Sequence, residues 1–134
     1  MKQVKEAAAR ALQALTAQGA ETASDQAVTT RKTELNAEGG KFTLLRTTLD
    51  HSLSLQAITD GRRGTVSGNS FEEEAISAAA KDCLASARAG QSDAAWEMAK
   101  EGQGSFQEGD PEPDLDRLYT RTAELIDTVH REYP

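Results

Sequence analysis

The chain has 134 residues, which is enough for one domain of ordinary size without disulfide bonds. Its 22 acidic and 15 basic residues give a formal net charge of -7. Phosphate backbones repel such a surface, so the composition argues against nucleic-acid binding. No apolar run approaches the roughly 18 residues of a membrane span, and the N-terminus lacks a signal-peptide pattern. We therefore expect a cytoplasmic protein that binds neither nucleic acids nor membranes.

The first predicted element is an amphipathic helix over residues 2–18, with Gly19 at the position where a left-handed residue commonly ends a helix. Its apolar residues recur at helical spacing: Val4, Ala7, Ala8, Ala11, Leu12 and Leu15. Residues 22–35 are mostly Thr, Ala, Gln and charged residues, with some β-branched residues among them. This composition predicts a strand that is wet on one face and lies at the edge of a sheet.

Three more strands are predicted after this edge strand. Residues 41–49 carry apolar groups on both faces, which indicates an inner strand, and residues 53–59 alternate as a strand does. Asp60-Gly61 is a strong hairpin signal, and a short return strand covers residues 64–67. The prediction is a meander of about four antiparallel strands.

A second helix is predicted over residues 70–89, and it should cover the sheet beside the first helix. Ser70 stands three residues before Glu73, which is the spacing of a capping box at a helix start. Cys83 lies on the apolar face of this helix. We interpret it as a buried and unreactive core residue.

The rest of the chain is predicted to be a connection and a final helix. Residues 91–113 are rich in Gly, Glu, Asp, Ser and Pro, and Trp96, Met98 and Phe106 are expected to pin this segment to the body. Asp114 caps a helix that extends to residue 132. Its apolar stripe requires a partner surface and consists of Leu115, Leu118, Thr122, Leu125, Ile126 and Val129.

The predicted fold class is α+β, with an antiparallel sheet of about four strands covered by two helices and followed by a C-terminal helix. The predicted domain plan has three parts. An α-β-meander-α domain covers residues 1–90, a linker covers residues 91–113, and residues 114–134 form the terminal helix that leads to a missing downstream domain.

The sequence shows no set of residues spaced for catalysis or metal binding. His51 and His130 are the only histidines, whereas a catalytic zinc site commonly takes three protein ligands. The serines and threonines lack a nucleophile elbow. We therefore predict no catalytic and no metal-binding residue in this chain, and we interpret both histidines as structural or solvated. The basic pairs Arg31-Lys32 and Arg62-Arg63 are interpreted as solvated strand ends and hairpin tips.

Three segments carry a resemblance to a known family. They are Glu38-Gly-Gly-Lys-Phe42, the hairpin Asp60-Gly-Arg-Arg-Gly-Thr65, and Glu112-Pro-Asp-Leu-Asp-Arg-Leu118. In their order and spacing they resemble the N-terminal domain of the TldD/PmbA proteins. This bacterial and archaeal family has been described both as modulators of DNA gyrase and as peptide-maturation proteases. The resemblance covers essentially the whole chain.

The resemblance implies the N-terminal domain of a metallopeptidase that cleaves or matures unstructured peptides. TldD-type members carry a zinc-binding His-Glu-x-x-x-His helix farther along the chain, PmbA-type partners (also called TldE) lack it, and the two types form a heterodimer. None of that motif is present here, so no catalytic residue carries over. Zinc is expected only in the parent protein or its partner subunit. The sequence of residues 62–67 is slightly more similar to the PmbA type, but it does not decide between the two types.

The polar strand over residues 22–35 offers one way to bind a peptide substrate. An exposed edge strand pairs with an extended peptide through backbone hydrogen bonds. Such pairing does not require a particular peptide sequence. The candidate peptide-binding edge consists of Val28, Thr30, Lys32 and Glu34.

Two alternatives to peptide binding remain open. In the first, this edge and the final helix pack against the missing downstream domain or against a homo- or hetero-dimeric partner subunit. In the second, the chain is a stand-alone, non-catalytic protein-interaction module.

Overall fold

The computed structural model describes residues 2–99, 102, 104–110 and 112–133. Its elements in chain order are α1 (Lys2–Ala17), β1 (Thr22–Glu38), β2 (Lys41–Thr59), β3 (Arg62–Gly68), α2 (Glu73–Ala89) and α3 (Leu115–Glu132). The strands form one antiparallel sheet in the order β1-β2-β3. The predicted α+β class is confirmed.

The sheet has three strands where about four were predicted. The predicted strands over residues 41–49 and 53–59 are one continuous strand, β2, because Asp50 and His51 stay extended. His51 keeps its place in the sheet through a cross-strand contact, since its Nδ1 lies 2.9 Å from Thr29 Oγ1. Both hairpin turns use paired residues with positive φ, and at Asp60 and Gly61 the values are 49° and 65°. This is the type I′ geometry that the Asp-Gly pair predicted.

The chain forms two compact units. The first unit comprises Met1–Thr30 and Leu49–Glu101, and the second comprises Arg31–Thr48 and Gly102–Pro134. Strands β1 and β2 each contribute residues to both units. The predicted domain plan, with its boundaries near residues 90 and 113, stays a prediction.

The core of the first unit lies between α1, α2 and one face of the sheet. It comprises Ala7, Ala11, Leu15, Leu53, Leu55, Ala57, Phe71, Ile76, Ala80, Cys83 and Leu84. The alternation in β2 places Leu53, Leu55 and Ala57 on the same face, and the alanines of both helices allow close packing. The prediction that Cys83 is a buried core residue is confirmed. Burial raises the pKa of its thiol.

Helix α2 lies directly on β3 at Gly64. A Cβ atom at this position would collide with the carbonyl oxygen of Cys83 and the backbone nitrogen of Ala87. The Cys83 thiol donates a hydrogen bond to the Gly64 carbonyl at 3.4 Å. Glycine is required here because the helix backbone and the strand backbone come into contact.

Two arginines bind the C-terminal carbonyls of the helices in the first unit. Arg88 Nη2 donates to the carbonyl of Gln18 at 3.2 Å, and Arg62 Nη1 donates to the carbonyl of Arg88 at 3.2 Å. Cations at helix C-termini complement the helix dipole. The guanidinium of Arg63 lies 3.7 Å from the ring centre of Trp96. The interpretation of Arg62-Arg63 as a solvated pair holds for Arg63, which is exposed, and is wrong for Arg62, which is half-buried and binds a helix end. The prediction that Trp96 pins its segment is confirmed.

The starts of α2 and α3 give opposite outcomes for the capping predictions. Helix α2 begins at Glu73 after Glu72, and no side chain caps it. Ser70 Oγ instead accepts a hydrogen bond from the Glu72 backbone nitrogen at 3.1 Å, so the predicted capping box is wrong. Asp114 does cap α3, because its carboxylate accepts from the Arg117 backbone nitrogen at 2.9 Å.

The second unit combines the tip of the β1–β2 hairpin with α3. The rings of Phe42 and Tyr119 stack with their centres 4.4 Å apart, and the His130 imidazole contacts Gly40 in the turn. None of the residues described in this unit is fully buried. Phe106 is 97% exposed, so the prediction that it pins its segment was wrong.

Candidate functional site: the outer edge of the first strand

The order of the sheet leaves two outer strands, β1 and β3, and their edges differ. The edge of β3 is short, and the segment after α2 covers its start. Arg62 pairs with Ser92 in an isolated bridge, and the Asp93 backbone nitrogen donates to the Gly61 carbonyl at 2.9 Å. In the part of the chain that the structure describes, no strand pairs with the outer edge of β1, which is 17 residues long. Such an edge offers unpaired backbone groups to an incoming strand.

Two of the predicted site residues, Val28 and Thr30, lie on the part of β1 that belongs to the first unit. Ala23 and Ala27 pack against the core from this strand, and both are half-buried. Thr30 is exposed, and Val28 is 39% exposed. This stretch therefore combines a core-facing side with exposed side chains near an open edge.

The other two predicted residues, Lys32 and Glu34, belong to the second unit and bind each other. Lys32 Nζ lies 2.7 Å from Glu34 Oε1, and Arg46 Nε lies 2.7 Å from Glu34 Oε2. The hydrogen bonds from Lys32 and Arg46 lower the pKa of Glu34. Both oxygens of this carboxylate are thus engaged within the chain. The four predicted residues are divided equally between the two units.

Asp25 is a residue of the candidate edge that the sequence analysis missed. It lies between Ala23 and Ala27 on the core-facing side of β1, and its Oδ2 atom is buried without a hydrogen-bond partner among the described residues. Burial raises the pKa of its carboxyl group. An inward-pointing charge is one of the devices by which edge strands avoid indiscriminate pairing. The sequence did contain a signal for this position. Alternate residues of a strand face the same side, so Asp25 faces the core together with Ala23 and Ala27.

A shallow depression lies on the outer face of the sheet in the first unit, next to β1. It has a volume of about 350 Å³, and its lining includes Ser24, Gln26, Ser54, Gln56, Thr65 and Ser67. Ser54 and Ser67 face each other across β2 and β3 with their hydroxyl oxygens 3.0 Å apart. These six side chains are neutral and both donate and accept hydrogen bonds. They extend the hydrogen-bonding surface from the edge of β1 onto the sheet face.

His51 lies on the inner side of the candidate edge and packs within the fold. Its ring is tilted against the Phe71 ring at 4.6 Å, and Nδ1 is paired with Thr29. Arg10 donates from Nη2 to the Phe71 carbonyl at 3.2 Å, which ties α1 to the same place. These contacts account for His51 as a structural residue.

Two features are absent from the residues that the structure describes. No three His, Cys, Asp or Glu side chains among them lie close enough together to hold a metal ion. In the same part of the chain, no helix has both the length and the apolar content needed to cross a membrane.

Comparisons with known proteins agree with this architecture. Residues 27–87 match the family model described as "PmbA/TldA metallopeptidase domain 1". The solved structure of TldE from Thermococcus kodakarensis matches with a TM-score of 0.75 at 18% sequence identity. The match covers 95% of this chain and 30% of that protein, so the chain spans less than a third of its relative's length. A search of curated proteins found no match.

The matched region is the first domain of that family model, and the α+β fold is shared with the solved relative. The family model covers all four residues of the candidate edge, both hairpin turns and most of α2. The resemblance inferred from the sequence is confirmed: residues 27–87 match the first domain of the family model, and the fold of almost the whole chain matches that of TldE.

Proposed function

We propose that this chain is the non-catalytic N-terminal domain of a TldD/PmbA-type zinc metallopeptidase, which cleaves or matures unstructured peptides. The observation that carries the proposal is the family match over residues 27–87, together with a structural match along almost the whole chain. The reactive centre and its zinc then belong to the remainder of the parent protein or to a partner subunit. The protein works in the cytoplasm in this proposal.

Within such an enzyme, the domain guides substrate by backbone pairing along β1. The support for this role is the contrast between the two sheet edges. The edge of β3 is covered at its start by Ser92 and Asp93, whereas the edge of β1 is open in the described structure. Backbone pairing requires an extended substrate but no particular sequence, and this suits a peptidase that acts on unstructured chains. Asp25 limits this pairing to substrates that tolerate a nearby carboxyl group.

The edge hypothesis is tested by titrating the isotopically labelled chain with an unstructured polypeptide, such as reduced and carboxymethylated lactalbumin. We expect amide chemical-shift changes along residues 22–30 and unchanged amides along β3, which serves as the internal control. Native, disulfide-bonded lactalbumin should produce no chemical-shift changes, because its own backbone groups are already paired. Changes confined to other elements would remove the peptide-binding role of β1.

The wider assignment is tested separately from the edge. The parent gene is expressed with and without a subunit that carries the His-Glu-x-x-x-His helix, and cleavage of the same unstructured polypeptide is measured. We expect zinc-dependent cleavage only when that helix is present in the assembly. Cleavage by the isolated chain would contradict the proposal.

A further inference from the structure

The side chain of Asp25 lies among apolar neighbours beside the open edge of β1. The residues around it on the same face of the sheet belong to the core or pack against it: Ala23, Ala27, Leu53, Leu55 and Ala57. Asp25 itself is half-buried, and its Oδ2 atom is buried without a hydrogen-bond partner among the described residues. A charged group in such a place destabilises a fold unless a partner neutralises it, so this carboxylate is a candidate for binding a cation.

No basic side chain in the part of the chain that the structure describes neutralises this carboxylate. Helix α1 packs against the same core, but its basic residues do not pair with Asp25. Lys2 Nζ lies 3.8 Å from the Glu6 carboxylate, Arg10 donates from Nε to the Glu6 carbonyl at 3.3 Å, and Lys5 is exposed. The ion pairs of the described residues likewise leave Asp25 out. A cation that pairs with Asp25 must therefore come from outside these residues.

A peptide that pairs with the edge of β1 brings a side chain next to Asp25. Side chains directly opposite one another on paired strands have their Cβ atoms about 4.5 to 5.5 Å apart, and long side chains also reach the diagonal position. A lysine or arginine on the core-facing side of the peptide thus reaches the carboxylate, while its aliphatic stem packs beside Ala23 or Ala27. Peptide side chains on the other side meet Ser24 and Gln26, which are neutral. The charge of the peptide therefore matters on one side only.

We infer that Asp25 is a specificity-determining residue of the β1 edge, and that it selects extended peptides with a lysine or arginine on their core-facing side. The class of peptide follows from charge complementarity. A cationic side chain neutralises the carboxylate, an apolar one buries it further without a partner, and an acidic one repels it. The inference rests on the proposed function, because it requires a peptide to pair with β1, and it adds the chemical class of that peptide.

The test is a titration of the isotopically labelled chain with two peptides that differ in a single charge. Both have blocked termini and a sequence of serine and threonine around one central residue, which is lysine in the first peptide and Nε-acetyl-lysine in the second. We expect amide chemical-shift changes along residues 22–30 with both peptides, and the lysine peptide should bind about three- to tenfold more tightly. Acetylation removes the charge of the side chain and keeps its aliphatic stem, so the ratio of the two affinities measures the charge preference.

Two variants separate Asp25 from the general attraction between a cationic peptide and an acidic chain. Asp25→Asn should bind both peptides with nearly equal affinity, whereas Asp82→Asn removes the same charge from the exposed side of α2 and should keep the preference for lysine. Equal binding of both peptides to the wild-type chain would overturn the inference and leave the proposed function intact, and so would a lysine preference that Asp25→Asn retains. If neither peptide shifts the amides of residues 22–30, the inference and the peptide-binding role of β1 are both overturned.

Discussion

The two units of this chain use the same two strands with different results. In the first unit, β1 and β2 join a third strand and two helices, and every fully buried residue described in the structure lies there. In the second unit, the same strands continue as a two-stranded hairpin beside one helix, and most of the large apolar side chains stay partly exposed. A two-stranded hairpin is marginally stable alone, whereas a third strand and a helix layer enclose a core.

This difference indicates which of the two units is the more stable. The first unit encloses an apolar core, arginines bind the C-terminal ends of both of its helices, and α2 packs directly on the strand backbone at Gly64. The second unit holds together through one aromatic stack and several exposed ion pairs, such as Arg31 with Glu112 at 2.9 Å. Exposed ion pairs contribute little to stability. We therefore expect the second unit to open locally at a lower free energy than the first.

The strongest test of this comparison uses two leucines of the same strand, because β2 passes through both units. Leu55 is 2% exposed in the core of the first unit, and Leu45 is 61% exposed in the second. We expect Leu55→Ala to lower the free energy of unfolding by about 2 to 5 kcal/mol, since it leaves a cavity. Leu45→Ala should change it by less than about 0.5 kcal/mol. Urea denaturation of both variants measures the difference, and equal losses would contradict the division of the core.

A second test compares two glycines of β3 in the first unit. An alanine at Gly64 would push its Cβ into backbone atoms of Cys83 and Ala87, whereas nothing lies within 4 Å of a Cβ at Gly68. We expect Gly64→Ala to cost about 1 to 3 kcal/mol, because α2 must move away from the strand. Gly68→Ala should be neutral or slightly stabilising, since it only restricts the unfolded chain. Thermal unfolding of both variants checks this, and a harmless Gly64→Ala would show that α2 is free to shift.

Elements with a strong local signal were predictable from the sequence. The type I′ turn at Asp60-Gly61, the left-handed Gly19, the Asp114 cap and the apolar face that buries Cys83 all depend on residues close together in the chain. The unbroken strand β2 was missed, because Asp50-His51 looks like a break. It stays extended through Thr29, which lies 22 positions away. Long-range partners of this kind leave no periodic signal.

The candidate site shows the same limit. The polar composition of residues 22–35 pointed to an edge strand, and the structure places β1 at an edge. The sequence did not indicate that Arg46 and Lys32 would occupy both oxygens of Glu34, because these pairings depend on the register of the hairpin. Nor did it indicate that Arg62 would bind a helix end, since the Arg88 carbonyl is 26 positions away. The resemblance to a known family supplied the functional hypothesis that the composition did not.

The smallest expected effects come from two carboxylates of β1, one in each unit. Burial raises the pKa of Asp25 in the first unit, so folding favours its protonated form. Asp25→Asn should therefore stabilise the protein at pH 7 by at most about 1 kcal/mol, as it removes a partly buried charge. This gain should fade as the pH falls through the raised pKa toward the ordinary aspartate value of about 3.9, below which wild type and variant converge.

Replacement of Glu34 in the second unit should change the stability at pH 7 in the opposite direction. Lys32 and Arg46 lower its pKa, so its stabilising effect is present above the ordinary glutamate pKa and is lost as the pH falls through the lowered value. Glu34→Gln should thus slightly destabilise the protein at pH 7, and added salt should reduce the difference because the pair is exposed. Urea denaturation between pH 3 and pH 7, about the range in which carboxyl groups titrate, measures both variants. If Asp25→Asn and Glu34→Gln change the stability at pH 7 in the same direction, the two carboxylates of β1 do not lie in different environments.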